Sequence, residues 1–451
     1  MKLKKSFNLT ITINWKNLIY YIVNLVSAVL LVSEIGAEWK SYVLVFLSLL
    51  MLPNPISFLP VLFVSSWSFT IMVIPGFAAF FYYLALFFVS IAISKKRLKS
   101  RVPASVETVI ALLFAVWIFV MGFKSVSGDW YMPMKLALCI LPLFLCSGLR
   151  LEKMKYCVVS INIIAVVLSL YLLYTALFAP ITFISPNAEE LDFALMEETN
   201  TLISSDINPN TASLFVFLLY IVLYCEVFRT KRYWLLLFVA PNLITMMYLG
   251  SRTAFFAVGI ITIVYPLVVL KTKVWKKVVL SVCFVLLFYG VFTMGGDRFE
   301  RAERLSVSTV IDDEGSGRFT NWYWLSKEII PYHWLKGIGV GLENYEMYRF
   351  DVDADNMYID VLCQTGVIGL VLFMSFYILL LVNFFRKRKQ NRDFDFLIAI
   401  FLAFLVEGLG ESVFDTPMFW FIGLLSVLAI NSFKEPKKRK VLNYQFLSET
   451  E

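Results

Sequence analysis

The chain has 451 residues, of which 59% are hydrophobic, and its mean hydropathy is +0.76. A soluble globular chain is only about 45–50% apolar, so these values exclude a soluble enzyme or binding domain. The formal net charge is +7. In a soluble protein that excess would suggest a nucleic-acid partner, but here the basic residues stand in short loops between apolar segments, as cytoplasmic loops of membrane proteins do. The composition therefore predicts a polytopic membrane protein with the lipid bilayer, and no nucleic acid, as its partner.

The apolar segments predict an all-α membrane protein in which residues 1–451 form one membrane domain. Segments of about 17–25 apolar residues are long enough to cross a bilayer as helices, and about 14 candidates occur. The second is short and is bounded by Pro53 and Pro55, so the range is 12–14. The first has no small-residue cleavage site and is expected to be retained. In chain order the predicted spans are 17–33, 41–53, 57–75, 77–94, 105–122, 131–148, 156–178, 210–228, 233–249, 253–270, 277–294, 357–385, 394–410 and 414–432.

The charges of the loops predict the orientation. When 14 spans are threaded, every basic cluster falls on one side of the membrane, whereas loop 179–209 on the other side is acidic. Because basic loops stay in the cytoplasm, both termini are expected inside. The same threading places a large loop, 295–356, and the residues around Arg252 outside. The basic clusters are the N-terminus, 94–101, 150–155, 229–232, 271–277, 386–392 and 434–440.

Arg252 interrupts a long apolar stretch between "MMYLGS" and "TAFFAVG". An arginine costs about 2.5–3.5 kcal/mol at the centre of a membrane helix and less near its end. Two interpretations remain open, an interfacial anchor and an anion-binding group that faces a cavity. We favour the second, because a planar and permanently charged guanidinium matches the geometry of phosphate.

The large outer loop has a predicted helix of its own at 315–331, "GSGRFTNWYWLSKEIIP", with Arg318 near its start. The following "PYHWLKGIGVG" ends that helix and supplies three glycines, but it lacks the features of a nucleotide-binding loop. The single histidine, His333, has aromatic neighbours and is expected to pack rather than to catalyse. Apolar residues recur at helical spacing on one face of the helix: Phe319, Trp322, Leu325 and Ile329.

The segment "DVDADNMYID" begins like a calcium loop but departs from one. Its sixth position is Asn356 instead of glycine, and its twelfth is Leu362 instead of glutamate. A looser divalent site and a plain solvated loop stay open. We favour a carboxylate, Asp355 or a neighbour, at the mouth of a catalytic site.

Acidic residues return near the outer ends of the last two spans. Glu407 lies deeper in its apolar segment than Glu411 and Asp415, and an acid at such depth indicates a functional site. The six cysteines form no CxxC pair and are expected to be packed hydrophobic residues rather than disulfide or metal ligands.

Several of these pieces together resemble one known family. They are "NPNTAS" at 208–213, "GSRTAF" at 250–255, "GRFTNW" at 317–322, "PYHWLKGIGVG" at 331–341 and "DNMYIDVLCQTGVIGL" at 355–370. Each piece is a weak signal, but their order, spacing and shared outer side resemble the O-antigen ligase and polymerase superfamily over about residues 205–430.

The resemblance implies a glycosyltransferase of the cytoplasmic membrane with a GT-C-like fold and an extracytoplasmic active site. It also implies that the enzyme is metal-independent, needs no cofactor and acts on undecaprenyl-diphosphate-linked glycans, with a flippase and a chain-length regulator as further partners. Ligases of the family carry a histidine before the asparagine, where this chain has Asp355. That departure favours a repeat-unit polymerase for capsule, O-antigen or exopolysaccharide, and an O-antigen-type ligase remains the alternative.

The resemblance and the residues together assign roles. Arg252 and Arg318 are expected to bind the substrate diphosphate, whose negative charge grows as the glycosidic bond breaks. Asp355 or Glu407 is expected to act as the base for the acceptor hydroxyl. The residues expected to bind glycan or to support the site are Asn356, Tyr358, Trp322 and Glu343, and the aromatic residues of the loop, which include Trp324 and Tyr345, are suited to stacking on sugar rings.

Three other functions are compatible with a polytopic membrane chain. A lipid-linked oligosaccharide flippase is expected to carry charges near span midplanes and repeated halves, which this sequence does not show. A peptidoglycan glycan-strand polymerase of the cell-elongation type has a different order of motifs. A non-catalytic scaffold for envelope assembly is the third.

Overall fold

A computed structural model of the chain describes residues 15–32, 37–67, 76–94, 105–151, 154–178, 209–269, 318–348, 354–388 and 394–432, without positions 126, 129, 250 and 342, together with a few isolated residues between 275 and 286. This part of the chain is about 84% helical and contains no strand. The predicted all-α architecture is therefore confirmed for the residues described.

Sixteen α-helices are described. In chain order they are α1 (Trp15–Val32), α2 (Ala37–Met51), α3 (Phe58–Ser65), α4 (Gly76–Ile93), α5 (Val106–Gly122), α6 (Tyr131–Leu145), α7 (Met154–Phe178), α8 (Pro209–Thr230), α9 (Leu236–Leu249), α10 (Arg252–Val269), α11 (Arg318–Glu328), α12 (Ile330–His333), α13 (Glu343–Glu346), α14 (Met357–Arg388), α15 (Phe394–Glu407) and α16 (Pro417–Ser432). The short helices α11–α13 belong to the predicted outer loop, and the predicted helix 315–331 corresponds to α11.

Three helices in the described part are long and apolar enough to cross a membrane: Tyr156–Tyr174 in α7, Ser213–Thr230 in α8 and Met357–Arg388, which is α14. Shorter apolar helices lie at most of the other predicted spans. Most of the predicted span 277–294 and nearly all of the acidic loop 179–209 lie outside the described residues.

Helix α8 is the centre of the bundle. Its side chains from Leu214 to Cys225 are buried on all sides, and it packs against α7, α9, α10 and α15. A helix that is apolar on every side has no polar face to expose to water, so it is buried among other helices.

One end of the bundle collects basic segments. Lys387 Nζ, at the end of α14, donates to the carbonyl of Ile430 in α16 at 2.8 Å. The N–H of Leu151 donates to Ser432 Oγ at 2.9 Å. The basic segments that contain Leu151 and Lys387 therefore lie at the same end, as the loop charges predict.

Helix α14 is broken near its start at Gly366, which has φ 68° and ψ −175°. The break exposes backbone groups that the predicted outer loop then satisfies. Ile338 N–H donates to Cys363 O at 2.9 Å, and Gly339 N–H donates to Gln364 O at 3.1 Å. The indole Nε1 of Trp117 in α5 donates to Thr365 O at 2.8 Å, so the bond comes from a neighbouring helix. Irregular backbone in a membrane protein is tolerated only where protein or water satisfies it in this way.

The segment 334–341, called here the glycine turn, packs directly on this break. A Cβ atom at Gly337 would lie 2.4 Å from the backbone of Gln364, and Gly337 has φ 77°. Glycine alone combines the left-handed conformation with so close an approach of two backbones. Gly337 thus serves packing against α14, whereas a Cβ atom at Gly339 would meet Ser125 and one at Gly341 would meet Glu343.

Candidate functional site

Arg318 is the centre of a cluster of polar side chains from four segments of the chain. Its Nε lies 3.2 Å from Asp355 Oδ2, its Nη1 donates to Thr253 Oγ1 at 3.1 Å, and its Nη2 lies 3.6 Å from Glu411 Oε2. The Arg318 side chain is 16% exposed, so one guanidinium is held by three partners in a mostly dry setting. A fixed, partly desolvated guanidinium is well suited to bind an anionic group.

The backbone before α14 holds Asp355 in place. Asp355 has φ 45°, a left-handed conformation that aspartate tolerates better than most residues. The indole Nε1 of Trp322 in α11 donates to the carbonyl of Ala354 at 2.6 Å. Trp322 therefore fixes the peptide next to Asp355, which is a supporting role for the site.

Asn356 and Tyr358 join the start of α14 to the end of α15. Asn356 Oδ1 accepts the N–H groups of Tyr358 and Ile359 at 3.0 and 3.2 Å, which caps the helix. Its Nδ2 donates to Leu409 O at 3.0 Å, and the Tyr358 hydroxyl donates to Leu405 O at 2.8 Å. Both side chains hold the cluster together.

Glu407 lies at the end of α15 behind this cluster. Its side chain is completely buried, and neither carboxyl oxygen has a hydrogen-bond partner among the described residues. Arg318 is the charged side chain that acts on it electrostatically. A buried carboxyl group without a partner is costly, and such groups are typical of functional sites rather than of packing.

Arg252 is the first residue of α10, and its side chain lies outside the described part. Its neighbour in the chain, Thr253, bonds to Arg318 and also donates to Gly410 O at 3.3 Å. The start of α10 therefore lies at the Arg318 cluster. Glu343 is exposed at the start of α13 and lies beside Gly341 of the glycine turn, rather than being bonded to Arg318.

The region that carries this cluster matches a known family. Residues 236–374 match the family model described as O-antigen ligase. This match confirms the resemblance of this part of the chain to the O-antigen ligase and polymerase superfamily. Members of this family are glycosyltransferase-like enzymes of membranes that act on lipid-linked glycans. A search of curated proteins found no match.

The O-antigen ligase match covers Thr253, Arg318 and Asp355 of the cluster, together with Arg252. Glu407 and Glu411 lie beyond it, on the segment after α14. The cluster therefore combines residues of the matched region with residues of the segment that follows it, and the fold brings the two groups together.

Sequence reasoning did not identify two partners of Arg318. Thr253 belongs to the "GSRTAF" motif, in which only Arg252 was proposed as a site residue. Glu411 was placed near the outer end of a span, and only its reach to Arg318 distinguishes it from a solvated loop acid. Asp351 and Asp353 of the acidic motif lie outside the described residues.

The aromatic residues and the histidine of the outer loop take different positions. Tyr345 is fully buried and donates to Asp360, so it holds the loop rather than presenting a face for a sugar. His333 Nε2 lies 2.6 Å from the Tyr348 hydroxyl, and the two rings pack edge to face. These contacts support the packing role expected for His333. Trp324 is exposed on α11.

A second pair of cations lies beside the glycine turn. Lys124 follows α5, and contact with the amine of Lys336, together with the positive charge of that neighbour, lowers the pKa of Lys124 from its usual value. Both side chains are exposed.

Proposed function

We propose that the protein is a membrane glycosyltransferase that polymerises undecaprenyl-diphosphate-linked oligosaccharide repeat units into a surface polysaccharide. In this proposal it is a GT-C-like protein of the cytoplasmic membrane with about 14 spans, both termini inside and the Arg318 cluster on the outer face. The observation that carries the proposal is the convergence of Arg318, Asp355 and Glu411 at the bundle end where α10 and α14 begin.

The orientation is supported by the two ends of the bundle. Met357 N–H at the start of α14 donates to Gly408 O at 2.8 Å, so this start lies with the end of α15. The basic segments gather at the other end of α14, near Lys387. Because basic segments favour the cytoplasm, the Arg318 cluster is assigned to the outside.

The chemistry requires one bond to break and one to form. The acceptor hydroxyl oxygen attacks the anomeric carbon of the donor sugar, the bond from that carbon to the lipid diphosphate breaks, and the bonding electrons leave with the diphosphate. Arg318, with Arg252 as a second cation, stabilises the leaving diphosphate, since its charge increases in the transition state. The proton of the acceptor hydroxyl passes to a carboxylate.

Asp355 is the better placed of the two predicted bases. Its side chain is 31% exposed, so an acceptor sugar reaches it from outside, whereas Glu407 is covered completely. Its ion pair with Arg318 places base and cation next to one another, as a reaction at one glycosidic bond requires. Glu407 lies behind Arg318 and is not the proposed base.

An O-antigen-type ligase is the second candidate, because the matched family model is described as O-antigen ligase. A polymerase and a ligase share the donor and differ in the acceptor. The aspartate at position 355, where the ligases that the sequence resembles have histidine, favours the polymerase. A flippase would not need a base beside a cation.

The test uses the purified chain in detergent or vesicles with undecaprenyl-diphosphate-linked repeat units as its only substrate. We expect a ladder of longer glycans and released undecaprenyl diphosphate without any ion gradient, and no ladder with Arg318→Ala. In a parallel reaction to which a different lipid acceptor is added, transfer of a single glycan to that acceptor, with no ladder in either reaction, would establish a ligase instead. Movement of intact substrate across the vesicle without a new bond would establish a flippase.

A further inference from the structure

Asp360 is a buried carboxylate that joins three separate segments of the chain. Its side chain is 1% exposed. The Tyr345 hydroxyl of α13 donates to Oδ1, the Ser412 hydroxyl donates to Oδ2, and Gln364 Nε2 donates to Oδ1 at 2.8 Å. A carboxylate only accepts hydrogen bonds, so all three neighbours act as donors to it. Buried in this way, Asp360 is placed to organise other residues and not to touch a substrate.

The bond from Ser412 leads directly to the Arg318 cluster. Ser412 follows Glu411, whose Oε2 lies 3.6 Å from Arg318 Nη2. The residues from Gly408 to Thr416 are not helical. Without the repeating backbone bonds of a helix, this loop depends on individual side-chain contacts for its conformation, and Asp360 supplies one next to Glu411.

The bond from Gln364 leads in the opposite direction. Gln364 Oε1 accepts the N–H of Gly341 at 3.1 Å, at the end of the glycine turn. Gln364 also stands at the break in α14, where its carbonyl accepts from Gly339. One carboxylate therefore connects the glycine turn on one side with the loop of Glu411 on the other.

We propose that Asp360 is a positioning residue for the transfer reaction. Through Ser412 it fixes the Glu411 carboxylate, and Glu411 together with Asp355 sets the direction in which the Arg318 guanidinium points. A guanidinium binds a diphosphate well only when its planar fork is aimed at the phosphate oxygens. This inference rests on the proposed function, since it assigns Asp360 a role in binding and transfer.

A role limited to folding makes a different prediction, and a double-mutant cycle separates the two. Ser412→Ala removes the hydroxyl that links Asp360 to Glu411 and leaves the other two bonds of Asp360 intact. Glu411→Gln removes the charge that the link is proposed to position. If the link acts through Glu411, the two changes are not additive, because residues acting in one network are coupled.

The experiment measures kcat and KM for ladder formation together with thermal unfolding in detergent. We expect Ser412→Ala to lower kcat/KM roughly tenfold in the wild-type background and to have no further effect in the Glu411→Gln background. Ser412→Thr keeps a hydroxyl and is expected to restore most of the activity. Thr416→Ala is the matched control, because Thr416 Oγ1 lies in the same loop and donates to Val413 O at 2.6 Å.

The outcomes are distinct. An equal loss from Ser412→Ala in both backgrounds, or an equal loss from Thr416→Ala, would overturn the inference and leave the proposed function standing. A wild-type protein that forms no ladder would overturn the proposed function and this inference with it. Asp360→Asn, which replaces a charged acceptor of three hydrogen bonds by a neutral amide, is expected to reproduce the Ser412→Ala defect in kcat/KM.

Discussion

Arg318 Nε lies 3.2 Å from Asp355 Oδ2, although the two residues are 37 positions apart in the chain. The pair forms because α11, which begins at Arg318, lies against the short segment that precedes α14. Trp322 of α11 donates a hydrogen bond to the carbonyl of Ala354 in that segment. A cation and a carboxylate in contact, both partly exposed, are the smallest unit able to hold a leaving diphosphate and accept a proton.

Arg318→Lys keeps the positive charge but removes the planar guanidinium with its several N–H donors. We expect ladder formation to fall roughly 100-fold, because an ammonium is a point charge and does not contact Asp355, Thr253 and Glu411 at once. Product length and rate measure the change. Lys327→Ala, at the other end of α11 and exposed, is the control and is expected to keep wild-type activity. Equal activity of Arg318→Lys and the wild type would argue against a bidentate role.

Asp355→Asn and Glu407→Gln decide between the two predicted bases. We expect Asp355→Asn to lower kcat by roughly 10²–10⁴, the usual contribution of a general base, and Glu407→Gln to lower it less. Glu407→Gln is also expected to leave thermal stability unchanged or higher, because it replaces an unpartnered buried carboxyl by a neutral group. Glu328→Gln, exposed on α11, is the control. The reverse order of the two effects would assign the base to Glu407.

Gly337→Ala tests the packing of the glycine turn on α14. A Cβ atom there would lie 2.4 Å from the backbone of Gln364, and φ is 77°. The strained conformation alone costs about 1–3 kcal/mol, so we expect a clear fall in the unfolding temperature. Gly259→Ala in α10 is the contrast, since no atom lies within 4 Å of its added Cβ and helix propensity favours alanine. A neutral Gly337→Ala variant would mean that the turn does not approach α14 so closely.

Trp322→Phe removes one hydrogen bond and keeps an aromatic ring. Loss of the bond from Nε1 to Ala354 O is expected to cost about 0.5–1.5 kcal/mol of stability and to reduce ladder formation by loosening Asp355. Thermal unfolding and activity are measured together. Trp324→Phe, exposed on the same helix, should change neither quantity.

The orientation is tested by labelling with a membrane-impermeant maleimide in intact cells. Ser326→Cys on α11 is expected to react from outside, whereas Arg386→Cys is expected to react only after the cells are permeabilised. The unmodified chain is the control, and the free cysteines in its described part are all buried. Labelling of Arg386→Cys alone in intact cells would invert the proposed topology.

The approximate positions of most apolar helices were predictable from the sequence, because a bilayer selects long apolar segments whatever their neighbours are. Arg318, Asp355 and Glu407 were also recognisable as candidate site residues, because charged groups in or beside membrane segments are costly and usually functional. The break at Gly366 was not, because "QTGVIG" is apolar enough to continue as one helix. It depends on Ile338, Gly339 and Trp117, which supply bonds from distant segments.

The sequence by itself determined that this chain is a helical membrane protein, roughly where most of its apolar helices lie, and which charged residues are candidates for a functional site. Only the tertiary structure decided that Arg318 meets Asp355, Thr253 and Glu411, and that Asp360 is bonded to Ser412. It also decided that Glu407 lies buried behind the Arg318 cluster, with no hydrogen-bond partner among the described residues. The physical reason is the range of the forces. Insertion into a bilayer depends on the composition of each segment, whereas hydrogen bonds and ion pairs require atoms within about 3–4 Å, which only the packing of distant segments provides.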